Sequence, residues 1–122
     1  MPNEEIIALK DRLVAQLSPL KVYLFGSYAY GTPNEDSDYD FYIIVGDDRV
    51  NTHDEAVRAY RAIGLAKTRP VDILVGTNSQ FERRRQWYST IEQEVFGKGV
   101  LLYDANQSAG HGGIYSLNKL II

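Results

Sequence analysis

Gly26-Ser27 is followed, after ten residues, by Asp38-Tyr39-Asp40, and a third acid, Asp72, stands near the start of a later β-prone run. On a strand, Asp38 and Asp40 share one face, with Cα atoms about 6–7 Å apart. Pairing of the Asp72 strand with that strand would carry the third carboxylate to the same patch. At about 6 Å and an effective dielectric near 20, each like-charge pair costs roughly 2.8 kcal/mol, so three converging acids require a counterion. Mg²⁺ is the natural one, because it takes hard oxygen ligands, uses few protein carboxylates and fills its octahedron with water and substrate phosphates. Two such ions about 3.5–4 Å apart would activate an attacking hydroxyl and stabilise a phosphoryl transition state.

The Gly26-Ser27 turn supplies a complementary feature. Glycine lets the backbone approach a phosphate closely, while the Ser hydroxyl and the N–H groups opening a helical turn donate to its oxygens. Two rival phosphate motifs fail: Gly26 to Gly31 fits the glycine spacing of a P-loop, but Thr32-Pro33 stands where Lys-Ser/Thr is required, and no G-x-G-x-x-G follows a strand. Ser27 also suits a capping role, which is compatible with phosphate binding. Acids after a polar turn are ordinarily just solvated, and Glu35 and Asp36 are assigned no role. For Asp38 and Asp40 it is the preceding Gly-Ser turn that argues otherwise. Tyr28 and Tyr30 suit either base stacking or core packing, and Trp87 either core or interface. Two distant His and no Cys make no zinc pattern.

These residues need a sheet to hold them. Ile6, Ile7, Leu9, Leu13, Val14 and Leu17 recur at helical spacing behind an Asn3 cap, and Pro19 ends the pattern. Strands are predicted at Val22 to Phe25, Tyr39 to Val45, Val71 to Val75 and Val100 to Tyr103. Residues 28–37 read as a short helical turn plus loop, or loop alone. Thr52-His53-Asp54-Glu55 has the form of a capping box opening a helix towards Lys67, and Ser79-Gln80-Phe81-Glu82 that of another opening a long helix to about Phe96. Phe81, Tyr88, Ile91 and Val95 would be the buried stripe of that long helix, with Arg83-Arg84-Arg85 near its N-terminal end, where the macrodipole disfavours cations. The alternation of helices and strands predicts an α/β fold, a sheet with helices packed on it.

The chain has 122 residues, enough for one domain. Thirteen Lys and Arg against sixteen Asp and Glu leave a net charge of −3, which argues against a dedicated nucleic-acid binder. There is no cysteine, hence no disulfide framework or thiol nucleophile. An acidic N-terminus and short apolar runs argue against a signal peptide or membrane span, so a cytoplasmic location is expected. Residues 1–103 are read as the domain. Residues 104–122, rich in Gly, Ser, Asn and Gln up to Gly113 and apolar again beyond it, are read as a flexible tail.

Phe25-Gly26-Ser27, Gly31, Ser37-Asp38-x-Asp40, the later Asp72 strand and the closing Gly99-x-x-Leu102-Tyr103 together resemble the nucleotidyltransferase superfamily related to DNA polymerase β, specifically its minimal nucleotidyltransferases. The resemblance spans roughly residues 3–103. It implies a mixed four-stranded sheet of the polymerase β palm type, with Asp38 and Asp40 binding two Mg²⁺. Gly26 and Ser27 would hold the triphosphate of a nucleotide, ATP by expectation, and Asp72 would serve as a further metal ligand that aids deprotonation of the acceptor hydroxyl. Nucleoside monophosphate would pass to that hydroxyl, with release of pyrophosphate. Minimal members commonly stand beside a HEPN-domain protein, which implies an antitoxin that adenylylates a toxin tyrosine. A transferase for small aminoglycoside-like molecules and a catalytically idle partner-binding module are the alternatives, and self-association is left open. One departure stands out: many relatives carry Arg shortly after the Gly-Ser pair, where this chain has Tyr28-Ala29-Tyr30. Lys67, Arg69 or the Arg83–Arg85 run would have to substitute.

Overall fold

A computed structural model describes residues 2–107. The elements are α1 (Glu4–Leu17), β1 (Lys21–Phe25), α2 (Ser27–Tyr30), β2 (Tyr39–Val45), α3 (Thr52–Ile63), β3 (Val71–Thr77), α4 (Asn78–Arg84), α5 (Ile91–Lys98) and β4 (Val100–Asp104). The sheet runs β3-β2-β1-β4. β1 is antiparallel to both β2 and β4, while β2 and β3 are parallel. The expected mixed four-stranded sheet is therefore present. The chain ends of β1 and the starts of β2 and β3 lie at one end of it.

Alternation along the strands sorts side chains between two unequal faces. Val22 and Leu24 of β1, Tyr39, Phe41, Ile43 and Val45 of β2, and Val71 and Ile73 of β3 pack with Leu102 against Ile6, Leu9, Leu13 and Leu17 of α1 and Ala59 and Ile63 of α3. The other face is smaller: Tyr23, Phe25, Tyr42 and Ile44 meet Phe81 of α4 and Val95 of α5. Phe81 anchors it, with ring centroids 5.7 Å from Tyr23, 5.3 Å from Tyr42 and 6.4 Å from Phe96.

Asn3 caps α1 as expected, accepting from the Ile6 amide at 2.8 Å. The far end of α1 has no basic residue in its last turn. Its carbonyls are satisfied from a distance instead. Arg49 Nη2 donates to Leu17 O at 2.7 Å and Arg58 Nη2 to Gln16 O at 2.6 Å, and Glu55 pairs with both arginines. Glu55 is thus occupied elsewhere and forms no capping box. Asn51 caps α3, which stops at Ile63 before Gly64 rather than running towards Lys67.

The single long helix expected to reach Phe96 is two helices. Ser89 takes a left-handed φ of 63°. Thr90 then caps α5, accepting from the Gln93 amide at 3.0 Å while its hydroxyl donates to Arg84 O at 2.7 Å. A hydroxyl able to bond both neighbouring turns competes with helix continuation. The break turns Tyr88, expected to be buried, out to 91% exposure. It also places Arg83 and Arg84 in the last turn of a short helix, where the macrodipole favours them. The capping box of α4 lies two residues earlier than expected, between Thr77 and Gln80. Ser79 turns instead to Asp47, and its two hydrogen bonds hold that carboxyl below the usual range.

β4 extends to Asp104, and Ala105–Gln107 form a 3₁₀ turn. The rest of the expected tail, from 108 on, lies outside the described residues. No helix among the described residues is long and apolar enough to cross a membrane.

Candidate active site

The smaller face carries Asp40 at its thinly covered end. The register sets Asp40 opposite Phe25 on β1 and opposite Asp72 on β3. Residues paired across adjacent strands point to the same face, so the carboxylates of Asp40 and Asp72 share it. Asp38 lies one residue ahead of β2, near enough that its charge helps to raise the Asp40 carboxyl. Asp72 is exposed and Asp38 and Asp40 are half-buried.

Gly26 fits against this acid cluster. Its φ of 74° and ψ of −165° suit a residue without Cβ, and a Cβ added there would stand 2.1 Å from Asp40 Oδ2. The chain thereby turns tightly from β1 into α2 directly over the carboxylate. Gly26 O accepts from the Ala29 and Tyr30 amides at 2.9 and 3.0 Å. Helix geometry leaves the amides of Ser27 and Tyr28 without an intrahelical acceptor.

Burial pushes the Asp40 carboxyl up, and the charges of Asp72, Asp38 and Glu94 push it further, to about 6. Like charges are therefore concentrated around one half-buried oxygen pair. Among the described residues no three acidic or imidazole side chains form a ready-made metal cage. Mg²⁺ does not need one, since it binds through one or two carboxylates and completes its shell with water and phosphate oxygens. An all-carboxylate donor set whose central member resists ionisation fits such an ion.

Glu94 was not legible from the sequence. It reaches the site from α5, where it accepts the Tyr30 hydroxyl, and burial followed by that bond pushes the Tyr30 phenol up to about 12. Tyr30 thus ties the Gly-Ser turn to α5, with Lys98 Nζ 5.9 Å from its ring centroid. Behind the site, Tyr42 donates to Glu92 at 2.8 Å, and Glu92 accepts from Arg84 Nε at 3.0 Å. Burial, then the Glu92 contact, raises the Tyr42 phenol well above its ordinary range. Gly76 makes room for this, since a Cβ there would lie 2.5 Å from the Tyr42 hydroxyl.

Tyr28 packs against core, edge to face with Tyr39 at 4.8 Å. The arginine run is drawn into contacts within the chain. Arg83 and Arg84 lie 6.0 and 5.5 Å from the Trp87 ring centroid, and Arg85 pairs with Glu82 and lies 4.1 Å from that of Phe96. Lys67 and Arg69 line an open cleft with Thr68, Pro70 and Val71 immediately ahead of Asp72.

Comparison with known proteins bears on this geometry. The model of a family described as nucleotidyltransferase domain matches residues 6–100. A solved structure of a candidate nucleotidyltransferase from Sulfolobus solfataricus is similar with a TM-score of 0.56 and 19% identity, covering 88% of this chain and 93% of that one. A chain from a toxin–antitoxin structure with AMP-PNP is similar with a TM-score of 0.53 and 22% identity, covering 97% and 87%. At these identities the two neighbours establish the shared fold. No curated protein matches the sequence. A family match that begins in α1 and ends at the first residue of β4 takes in every element around Asp40, and on that extent the chain belongs to the nucleotidyltransferase domain family.

Proposed function

We propose that this protein is a Mg²⁺-dependent nucleotidyltransferase that moves a nucleoside monophosphate, AMP from ATP, onto a hydroxyl of a partner protein. The observation that carries the reading is the register that sets Asp40 beside Asp72 on one sheet face, with Asp38 two residues away and Gly26 closed over Asp40. Asp38, Asp40 and Asp72 are the residues that would hold Mg²⁺. When bound, the ion would neutralise phosphate charge and acidify the acceptor hydroxyl.

The chain's own residues would divide the remaining work. Ser27 and the first amides of α2 receive the triphosphate. Asp72, the most open of the three acids, accepts the proton of the attacking hydroxyl. The acceptor oxygen forms its bond to the α-phosphorus as the bond from that phosphorus to the bridging oxygen breaks, and pyrophosphate leaves. The family supports the reaction type. The neighbour from a toxin–antitoxin structure with AMP-PNP supports ATP as donor and a toxin as acceptor, and a HEPN-domain protein is the partner we favour.

The test is transfer of label from ATP marked in its α-phosphate to a co-expressed toxin. Asp38→Asn combined with Asp40→Asn abolishes transfer on this reading, and transfer at the wild-type rate would refute it. A second reading, neutralisation by contact alone, is favoured by one observation: Tyr28, Ala29 and Tyr30 follow Ser27, and Tyr30 is engaged by Glu94. Protection of cells by the double variant would select it.

A further inference from the structure

The two motif segments of the candidate site, the Gly26-Ser27 turn and the stretch ending at Asp38, are separated by an exposed loop. Within that loop Asp36 N donates to Asn34 Oδ1 at 2.8 Å and Asn34 N to Ser37 Oγ at 2.9 Å, which shapes the loop without tying it to the sheet. Arg69 supplies the tie. Its Nη1 donates to Glu35 O at 2.8 Å and to Ser37 O at 3.3 Å, and Ser37 directly precedes Asp38. The same guanidinium lies 5.7 Å from the ring centroid of Tyr28, which directly follows Ser27. Next to it, Pro70 O accepts the Tyr39 amide at 3.0 Å, and Asp72 lies two residues beyond Pro70.

We infer that Arg69 is a positioning residue that fastens the Ser27 segment and the Asp38 segment to the chain leading into Asp72, a role that rests on the nucleotidyl-transfer reading of the site. One planar cation makes both contacts at once. Arginine is suited to this because one Nη1 meets both carbonyls while the rest of the planar guanidinium lies over an aromatic ring. Lysine, a point charge on a flexible stem, keeps the charge and loses the simultaneous reach. Tyr28 anchors the arrangement through its contact with Tyr39. The pairing of Phe25 with Asp40 brings the two segments together, and one side chain that neither motif contains then braces Ser27 against Asp38.

The experiment uses the full chain with Arg69→Ala, Arg69→Lys and Tyr28→Ala, singly and with Arg69→Ala combined with Tyr28→Ala. Amide hydrogen exchange in residues 27–30 and 35–38, kcat and KM for ATP, and the thermal midpoint are measured. Both arginine variants are expected to speed exchange in both segments and to lower kcat about 100-fold with KM little changed, the cost of misplacing groups by about an ångström. The double variant should lose no more than Arg69→Ala alone, because the two residues act as one unit. Arg69→Lys with wild-type kcat, faster exchange in only one segment or neither, or a lowered thermal midpoint with unchanged kcat would each overturn the inference. If the wild-type chain transfers no label, the transfer reading fails, and exchange in the two segments alone decides whether Arg69 joins them.

Discussion

The two faces of the sheet are built to different ends. Against α1 and α3, every inward side chain of β2 is apolar or aromatic and buried, from Tyr39 to Val45. On the reverse face the same strand begins with Asp40, and α4 and α5 cover only Tyr42 and Ile44 beyond it. Leu74 on that side is still 41% exposed. Water excluded from the first face contributes stability by burial. On the second, the end that carries Asp40 is left thinly covered and like charges are held close at a cost to the folded state. One seven-residue strand serves both purposes because its side chains alternate.

The largest effect that separates the faces is chemical. Loss of both Asp38 and Asp40 carboxylates should reduce label transfer at least about 1,000-fold, equivalent to about 4 kcal/mol of barrier, while the thermal midpoint does not fall. On the opposite face Phe41→Ala should do the reverse, costing about 3–5 kcal/mol in denaturant unfolding through lost burial and a cavity. A comparable stability loss from the paired aspartate changes would erase the distinction. Gly26→Ala acts at the junction: its methyl meets Asp40 Oδ2 in a backbone conformation that disfavours a side chain. We expect about 1–3 kcal/mol of destabilisation, together with loss of transfer.

A smaller effect has a pH signature. Burial and then three neighbouring acids raise the Asp40 carboxyl from an ordinary 3.8 to about 6. The folded state keeps a proton that the unfolded chain releases across that window, so stability falls as pH rises from 3.8 to about 6. Asp40→Asn removes the fall. In metal-free protein it should be more stable than wild type above pH 6 by about 1 kcal/mol, after allowance for solvent screening, the two converging below pH 3.8. A constant offset across the titration would deny the charge clustering. The smallest effect belongs to Tyr88→Ala, which should change stability by less than about 0.5 kcal/mol. A larger loss would return Tyr88 to the core from which the helix break removes it.

Much of this was readable in the chain. Tyr39 to Val45 is rich in aromatic and β-branched residues and is closed by Gly46-Asp47-Asp48, so β2 was bounded to the residue. Asn3 before an apolar helical pattern marked the start of α1. What misled was local chemistry with more than one outlet. Thr52 and Glu55 have the spacing of a capping box, but Glu55 is taken by Arg49 and Arg58, which together close the end of α1. Ser79 is claimed by Asp47 in the same way. The helix pattern from Phe81 to Val95 is continuous in periodicity, yet Ser89 and Thr90 supply a turn and a new cap within it. Glu94 carried no signal, because its place beside Asp40 depends on where that second helix begins.

Amino-acid order was sufficient to place Asp40 at the start of β2 with Asp38 just ahead of it, since an aromatic and β-branched run favours a strand. It was also sufficient to require a glycine-bearing turn before them. Only the assembled fold could choose the parallel register that faces Asp40 with Asp72, the helix break that delivers Glu94, and the reach of Arg69 to two loop carbonyls. Those contacts join residues 32 to 54 positions apart along the chain. Periodicity and capping act within a few residues, whereas strand pairing and side-chain reach are settled when separate elements pack around a common core.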